Sequence, residues 1–246
     1  GHNGLAAAGL LAKSGRRVLV LERSGVLGGA ASGYEPAPGF RAPRFAHLLH
    51  AWHPKVGEQI NLTAQGLAFA KRDLPTVALS EDGRHVSVKN GKPGVASGEA
   101  HPDAVAFSRL HTRLIRFAAV LAGKLLEPPP RLARPDWRDL GGLAKLGFDL
   151  KRLGKPDARE FLRILLSNAH DVILDEIVDG PLAGALALDA VMGGHVGPRA
   201  PGTALTLLYR LAQGGRRDLP AGGLGAFSAA LARSAEARES CAESPK

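Results

Sequence analysis

A single cysteine, Cys241, stands in 246 residues, so no internal disulfide staples the fold. That fits a reducing compartment, and a cytoplasmic setting is the expectation. The only methionine is Met192 and residue 1 is glycine. The chain is therefore expected to be a processed, truncated or partial reading of a longer one, lacking segments at both ends. No apolar run approaches the roughly 18 residues that a membrane span needs, and no signal peptide precedes the first motif. This argues against a transmembrane segment and leaves peripheral membrane contact open. Aromatic residues make up only 5%. With a net charge of +9 the basic residues invite a nucleic-acid reading, but the arginines are scattered and no compact basic motif interleaves with aromatics. No nucleic-acid partner is expected. There is no G-x-S-x-G elbow for hydrolysis. His47, His50 and His53 share one face of an expected short helix, but Pro54 cuts it short and no carboxylate joins them, so no metal site is expected. His195 sits in a Gly/Pro loop, where a role in capping the loop is the expectation.

What is present starts at the first residue. Gly1 and Gly4, within Gly1-His2-Asn3-Gly4, fit the second and third glycines of G-x-G-x-x-G. The first glycine and its strand would lie upstream. Leu5, Ala8, Leu11 and Ala12 recur at helical spacing up to Ser14. Arg17 to Glu22 reads as a strand ending in an acid about 20 residues after the glycine turn, where a carboxylate can accept hydrogen bonds from an adenosine ribose. Gly1 would let backbone approach a pyrophosphate, Gly4 would let the helix pack close to the strands, and the helix N-terminus would face the phosphates. Just past the acid come Arg23 and the pair Gly28-Gly29, followed by Ala30 and Ala31. A nicotinamide dehydrogenase has no evident use for that pair. Beside a flavin dinucleotide the backbone runs where side chains would collide, so the pair points to FAD rather than NAD.

Further along, residues 32–54 read as a Pro/Gly-rich loop and a short helix from Phe45 to Trp52. Thr76–Ser80 and His85–Lys89 flank Asp82-Gly83, a hairpin signal. Residues 102–126 carry an apolar stripe of Val105, Leu110, Leu114, Phe117, Leu121 and Leu125, stopped by Pro128-Pro129-Pro130. Helices are expected to start near Asp139, Asp157, Gly180 and Thr203. Leu162, Leu165, Leu166 and Ala169 are expected to give a buried face, continued by Val172, Leu174, Ile177 and Val178. A final helix runs from Gly222 to Arg238, and residues 240–246 should fray.

His2-Asn3-Gly4-Leu5, Val18–Arg23 and Gly28–Ala31 together resemble the phytoene desaturase-like FAD-dependent oxidoreductases, and within them the pyridine nucleotide-disulphide oxidoreductase domain-containing protein 2 group. Pro38–Phe40, Pro181–Val191, Gly197–Thr203 and Gly222–Ser228 continue the resemblance in order along the chain. No redox-active cysteine pair is present, whatever that group's name suggests. The resemblance implies an α/β fold: a Rossmann-like FAD-binding domain, first strand missing, with an inserted helix-rich α+β substrate domain. The expected division is 1–66 and 215–246 for the FAD-binding part and 67–214 for the substrate domain. It implies hydride transfer from a small apolar substrate to flavin, with an unknown electron acceptor. It carries cofactor roles onto Gly1, His2, Asn3, Gly4, Glu22, Arg23, Gly28, Gly29 and Ala30. Ala30 replaces an arginine found there in a number of related oxidases. No catalytic side chain is assigned. An amine-oxidase-type flavoenzyme shares the same N-terminal motifs, and a non-catalytic fragment without FAD is the reading from outside enzymology. The 246 residues alone are expected to bind FAD poorly.

Overall fold

The computed structural model describes residues 1–50, 53–89, 91–95, 97–125, 127–131 and 133–237. Cys241, the expected fraying of the C-terminal tail and the expected helix end at Trp52 lie outside the described residues. The chain folds as two compact units, Gly1–Leu74 with Arg216–Lys246, and Pro75–Gly215.

The first unit begins with α1, His2–Lys13. Leu5 and Ala8 are buried. The helix stops in a Schellman geometry. Gly15 turns to φ 78°, Gly15 N–H donates to the Ala12 carbonyl at 3.0 Å, and Arg16 N–H reaches back to Leu11 at 3.1 Å. A hairpin follows, β1 (Gly33–Ala37) against β2 (Phe40–Pro43), where only loop was expected. β3 is the short Leu49–His50, α2 spans Pro54–Gln59 and β4 spans Phe69–Lys71. After the excursion through the second unit come β8 (Arg217–Pro220) and α9 (Gly223–Glu236). β8 lies between β3 and β4, antiparallel to both. Leu224, Phe227, Ala230 and Leu231 of α9 meet Leu5, Ile60, Leu62 and Leu67 in one core.

Two expectations fail in this unit. Phe45–His50 is not a helix, because Leu49 and His50 pair with Asp218 and Arg217 of β8. Arg17–Glu22 is not a strand. A strand is held by a neighbour's backbone ladder, and no described strand lies beside this segment. Leu19 and Leu21, which a strand would place on one face, are 82% and 86% exposed.

The second unit opens with a three-stranded meander. β5 (Thr76–Ala78) and β6 (Val86–Lys89) form the expected hairpin, with Thr76 opposite Val88 and Ala78 opposite Val86. β7 (Lys92–Val95) adds a third strand. Six helices then follow among the described residues: α3 (Ala104–Ala122), α4 (Trp137–Leu153), α5 (Lys155–Leu166), α6 (Ala169–Leu174), α7 (Pro181–Val191) and α8 (Thr203–Ala212). α3 buries Phe107, Leu110, Leu114 and Phe117, successive members of one helical stripe. Val105 falls off that stripe and is 75% exposed. On α5 the inward residues are Phe161 and Ile164. Leu162 and Leu166 point outward, and Val178 is likewise exposed. Phe117 and Phe161 meet edge to face at 5.7 Å, joining α3 to α5. Arg210 of α8, nearly buried, pairs with Asp189 of α7 at 3.3 Å. No helix among the described residues is long and apolar enough to cross a membrane.

Candidate functional site

The glycine turn and the Gly-Gly turn come together in the first unit. Gly28 has φ 111° and Gly29 φ 58°, the left-handed region that L side chains avoid. The Gly28 carbonyl accepts two hydrogen bonds, from His2 N–H at 3.2 Å and from Ala31 N–H at 3.1 Å. Ser32 N–H closes the turn on the Gly29 carbonyl at 3.0 Å. There is no room for side chains. A Cβ on Gly29 would sit 3.1 Å from Gly1 Cα, and one on Gly28 would sit 2.5 Å from Ser228 Oγ. Ser228, buried on α9, donates its hydroxyl to the Ala31 carbonyl at 3.0 Å and holds the turn from behind.

Glu22 is the third member of the cluster. Its carboxylate lies 3.6 Å from the Gly1 nitrogen, and it accepts the Ser24 N–H at 3.0 Å. The Ser24 hydrogen bond is the main reason its pKa is lowered from the usual glutamate value. Glu22 is thus an anionic acceptor beside the start of α1. No side chain caps α1; the Gly28 carbonyl takes the His2 N–H, and the next N–H groups of the first turn face the same space without a side-chain cap.

The remaining residues are placed differently. His2 and Asn3 line a cleft of about 390 Å³ along the flank of α1, with Ala6, Leu10, Leu49 and Phe227. Arg23 is exposed, and its peptide N–H rather than its guanidinium acts on Glu22. Ala30 is exposed and its carbonyl accepts Ala46 N–H at 3.0 Å. Gly4 does not serve close packing: a Cβ there would meet nothing within 4 Å. The helix packs on α9 rather than on a strand beside Gly4, and the close approach falls at Gly9, where a Cβ would meet Ile60 and Ser234 at 3.4 Å.

The second unit has its own recess, about 460 Å³, formed by Ile173 and Leu174 of α6, Ala183, Gly184 and Ala187 of α7, and the loop Gly197–Arg199. Thr203 shapes it. This buried hydroxyl accepts Ala169 N–H at 2.8 Å and lies 3.0 Å from the Pro198 carbonyl and 2.9 Å from the Ala200 carbonyl. His170 N–H also donates to Pro198, at 3.1 Å. The Gly/Pro loop is therefore tied to the start of α6. His195 is exposed, and no described side-chain hydrogen bond holds it or caps the loop through it. His47 and His50 touch edge to face at 6.4 Å, but no group of three potential metal ligands is gathered among the described residues.

Ser228 and Thr203 are the residues that sequence reasoning missed. Both lie in segments whose glycines and prolines drew attention, Gly222–Ser228 and Gly197–Thr203, while the hydroxyl that ends each segment did not.

Residues 1–61 match the family described as NAD(P)-binding Rossmann-like domain. Over those residues the match is to an α/β fold of the Rossmann-like kind, although the described residues there form a helix and turns without a strand at 17–22. The chain is 29% identical over 260 residues, covering 96% of its length, to pyridine nucleotide-disulfide oxidoreductase domain-containing protein 2 of Rattus norvegicus. The mouse protein of that name is also 29% identical, over 97% of the chain. An uncharacterized protein of Mycobacterium bovis is 28% identical over 96%. The chain spans 44% of the rat and mycobacterial proteins and 45% of the mouse one. No solved structure matches.

Proposed function

We propose that the chain is part of a FAD-dependent oxidoreductase of the phytoene desaturase-like type. The carrying observation is the packing of Gly28-Gly29 directly on Gly1, with the Glu22 carboxylate at 3.6 Å from the Gly1 nitrogen. A dinucleotide asks for this combination: uncapped helix N–H groups for the diphosphate, an acid for the ribose hydroxyls and backbone without side chains between them. The names of the rat and mouse relatives, which contain the word oxidoreductase, support the same class.

In this reading the first turn of α1 and Gly1 receive the diphosphate. Glu22 accepts from the ribose, its charged form favoured by the Ser24 N–H. Gly28 and Gly29 let their turn lie against Gly1, and Ser228 fixes it from behind. When bound, FAD would supply two-electron redox chemistry toward a substrate carbon. The second unit supplies the substrate domain. Its recess, floored by Ile173, Leu174 and Ala183, suits an apolar molecule.

Flavin absorbance separates the readings. The chain should be purified from cells supplied with riboflavin, denatured, and the released chromophore identified. Because the 246 residues alone are expected to bind FAD poorly, the expected result is free FAD in the supernatant well below one per chain, and its loss in Gly28→Val. Because the matched family is described as NAD(P)-binding, the competing outcome is a colourless protein that binds NADH with no affinity for FAD, which would sink the flavin assignment. Binding of neither dinucleotide would favour a non-catalytic piece.

A further inference from the structure

α4 has two apolar faces. Leu146, Leu150 and Leu153 turn inward and pack against the core of the second unit. The opposite side carries Trp137, Leu140, Ala144 and Phe148, spaced three and four residues apart and therefore on one stripe. Trp137 is 75% exposed, Leu140 56% and Phe148 60%. A protein with only two tryptophans places one of them fully on the surface. Isolated exposed apolar residues need no explanation, but an aromatic stripe along one helix does.

Charge says what covers it. Arg138, Lys145, Lys151 and Arg152 are exposed and border the stripe. The Arg138 guanidinium lies 5.1 Å from the centre of the Trp137 ring and the Arg152 guanidinium 6.0 Å from that of Phe148. The two acids of the helix are turned away from this use. Asp139 accepts the Asp136 N–H and pairs with Arg131, and Asp149 is half-buried on the inner flank. The outward surface is therefore apolar at its centre and cationic at its edges.

We infer that α4 is a docking surface for an anionic lipid bilayer. Trp137, Leu140 and Phe148 enter the headgroup and acyl boundary, while the four cations meet lipid phosphates from flexible stems. This is peripheral attachment, independent of the cofactor assignment.

The test is co-sedimentation of the whole chain with vesicles of phosphatidylcholine alone and of equal parts phosphatidylcholine and phosphatidylglycerol. Binding is expected to the anionic vesicles and to weaken with salt. It should fall at least about tenfold in Lys145→Glu/Lys151→Glu and in Trp137→Ser/Phe148→Ser. Val105→Ser, an exposed apolar change on α3, should leave it within about twofold. Tryptophan emission should shift to the blue on binding, and Trp137→Phe should abolish that shift while still sedimenting. Circular dichroism checks the fold of each variant, and the conservative Trp137→Phe keeps the test open should a double variant unfold. Equal binding to neutral and anionic vesicles overturns the inference, as does wild-type binding by both double variants. So does an emission change that follows protein concentration without vesicles, which would mark α4 as a protein interface.

Discussion

The two units solve opposite packing problems. The second unit is built on side chains: among the described residues, a cluster of twenty buried apolar ones, Phe107 and Phe117 at 0% exposure among them, fills the space between its helices and its meander. The first has eleven among the described residues, and at Gly29 beside Gly1 and Gly28 beside Ser228 it leaves no space for a Cβ. It also leaves Leu19 and Leu21 in the open. A side-chain core loses stability when atoms are removed. A glycine cradle loses it when atoms are added. That difference orders the expected effects of mutation.

The largest effect should come from emptying the second core. Phe117→Ala removes a fully buried ring that touches Phe161, and should cost about 4 kcal/mol. Hydrogen exchange should show the loss in peptides from α3, α5 and α8. Peptides from α1 and α9 losing protection to the same extent would mean the two units unfold as one, and the comparison would break. Gly28→Val does the reverse. It puts a branched side chain at φ 111° into the space of Ser228, and should cost about 3 kcal/mol in the first unit. Here α1 and α9 should lose protection while α3 and α8 keep it. A variant as stable as wild type would show that the turn is free to move, and the cradle would lose its meaning.

The same contrast explains what could be read from sequence. The helices of the second unit follow from local pattern, because a stripe such as Phe107, Leu110, Leu114 and Phe117 fixes its own buried face. Errors there were single residues expected inside and found exposed, Val105, Leu162, Leu166 and Val178. In the first unit the glycines and Glu22 were legible as types, but their partners were not. Nothing local in Gly28-Gly29 announces that Ser228, two hundred residues later, packs behind it. Arg17–Glu22 has strand composition, yet strand formation depends on a partner ladder that composition does not encode. Leu49-His50 shows the converse: two residues expected in a helix become a strand because β8 lies beside them.

A smaller effect is expected at α4, which the sequence anchors by local means. Asp136 accepts the N–H groups of Arg138 and Asp139, both at 2.9 Å, while Asp139 accepts the Asp136 N–H in return, a complete capping box. Asp136→Ala should cost about 1 kcal/mol. The loss should concentrate in the first turns of α4, which carry Trp137 and Leu140, so vesicle binding should weaken along with protection there. Loss of exchange protection across the whole second unit would show that α4 is part of its folding core rather than a helix laid on its surface.

The smallest expected effect tests whether burial in the second unit is dry enough to act on charge. His111 of α3 stacks on Phe107 with ring centres 5.7 Å apart, and burial lowers its pKa from 6.5. The sign follows from proton uptake. Above 6.5 His111 is neutral in both the folded and the unfolded chain, and pH changes nothing through it. As pH falls below 6.5 the unfolded chain takes up a proton that the folded chain resists, so stability drops until the folded-state pKa is passed. Carboxylates with lowered pKa, such as Glu160 beside Arg163, add their own acid sensitivity at lower pH. The readout is therefore a difference: denaturant midpoints measured from pH 7.5 down to roughly 5.5 for the wild type and for His111→Gln. The wild type should lose more over that window. Parallel curves would mean that water reaches His111 freely, and the second unit would then resemble the first, held by fit at a few points rather than by a continuous dry core.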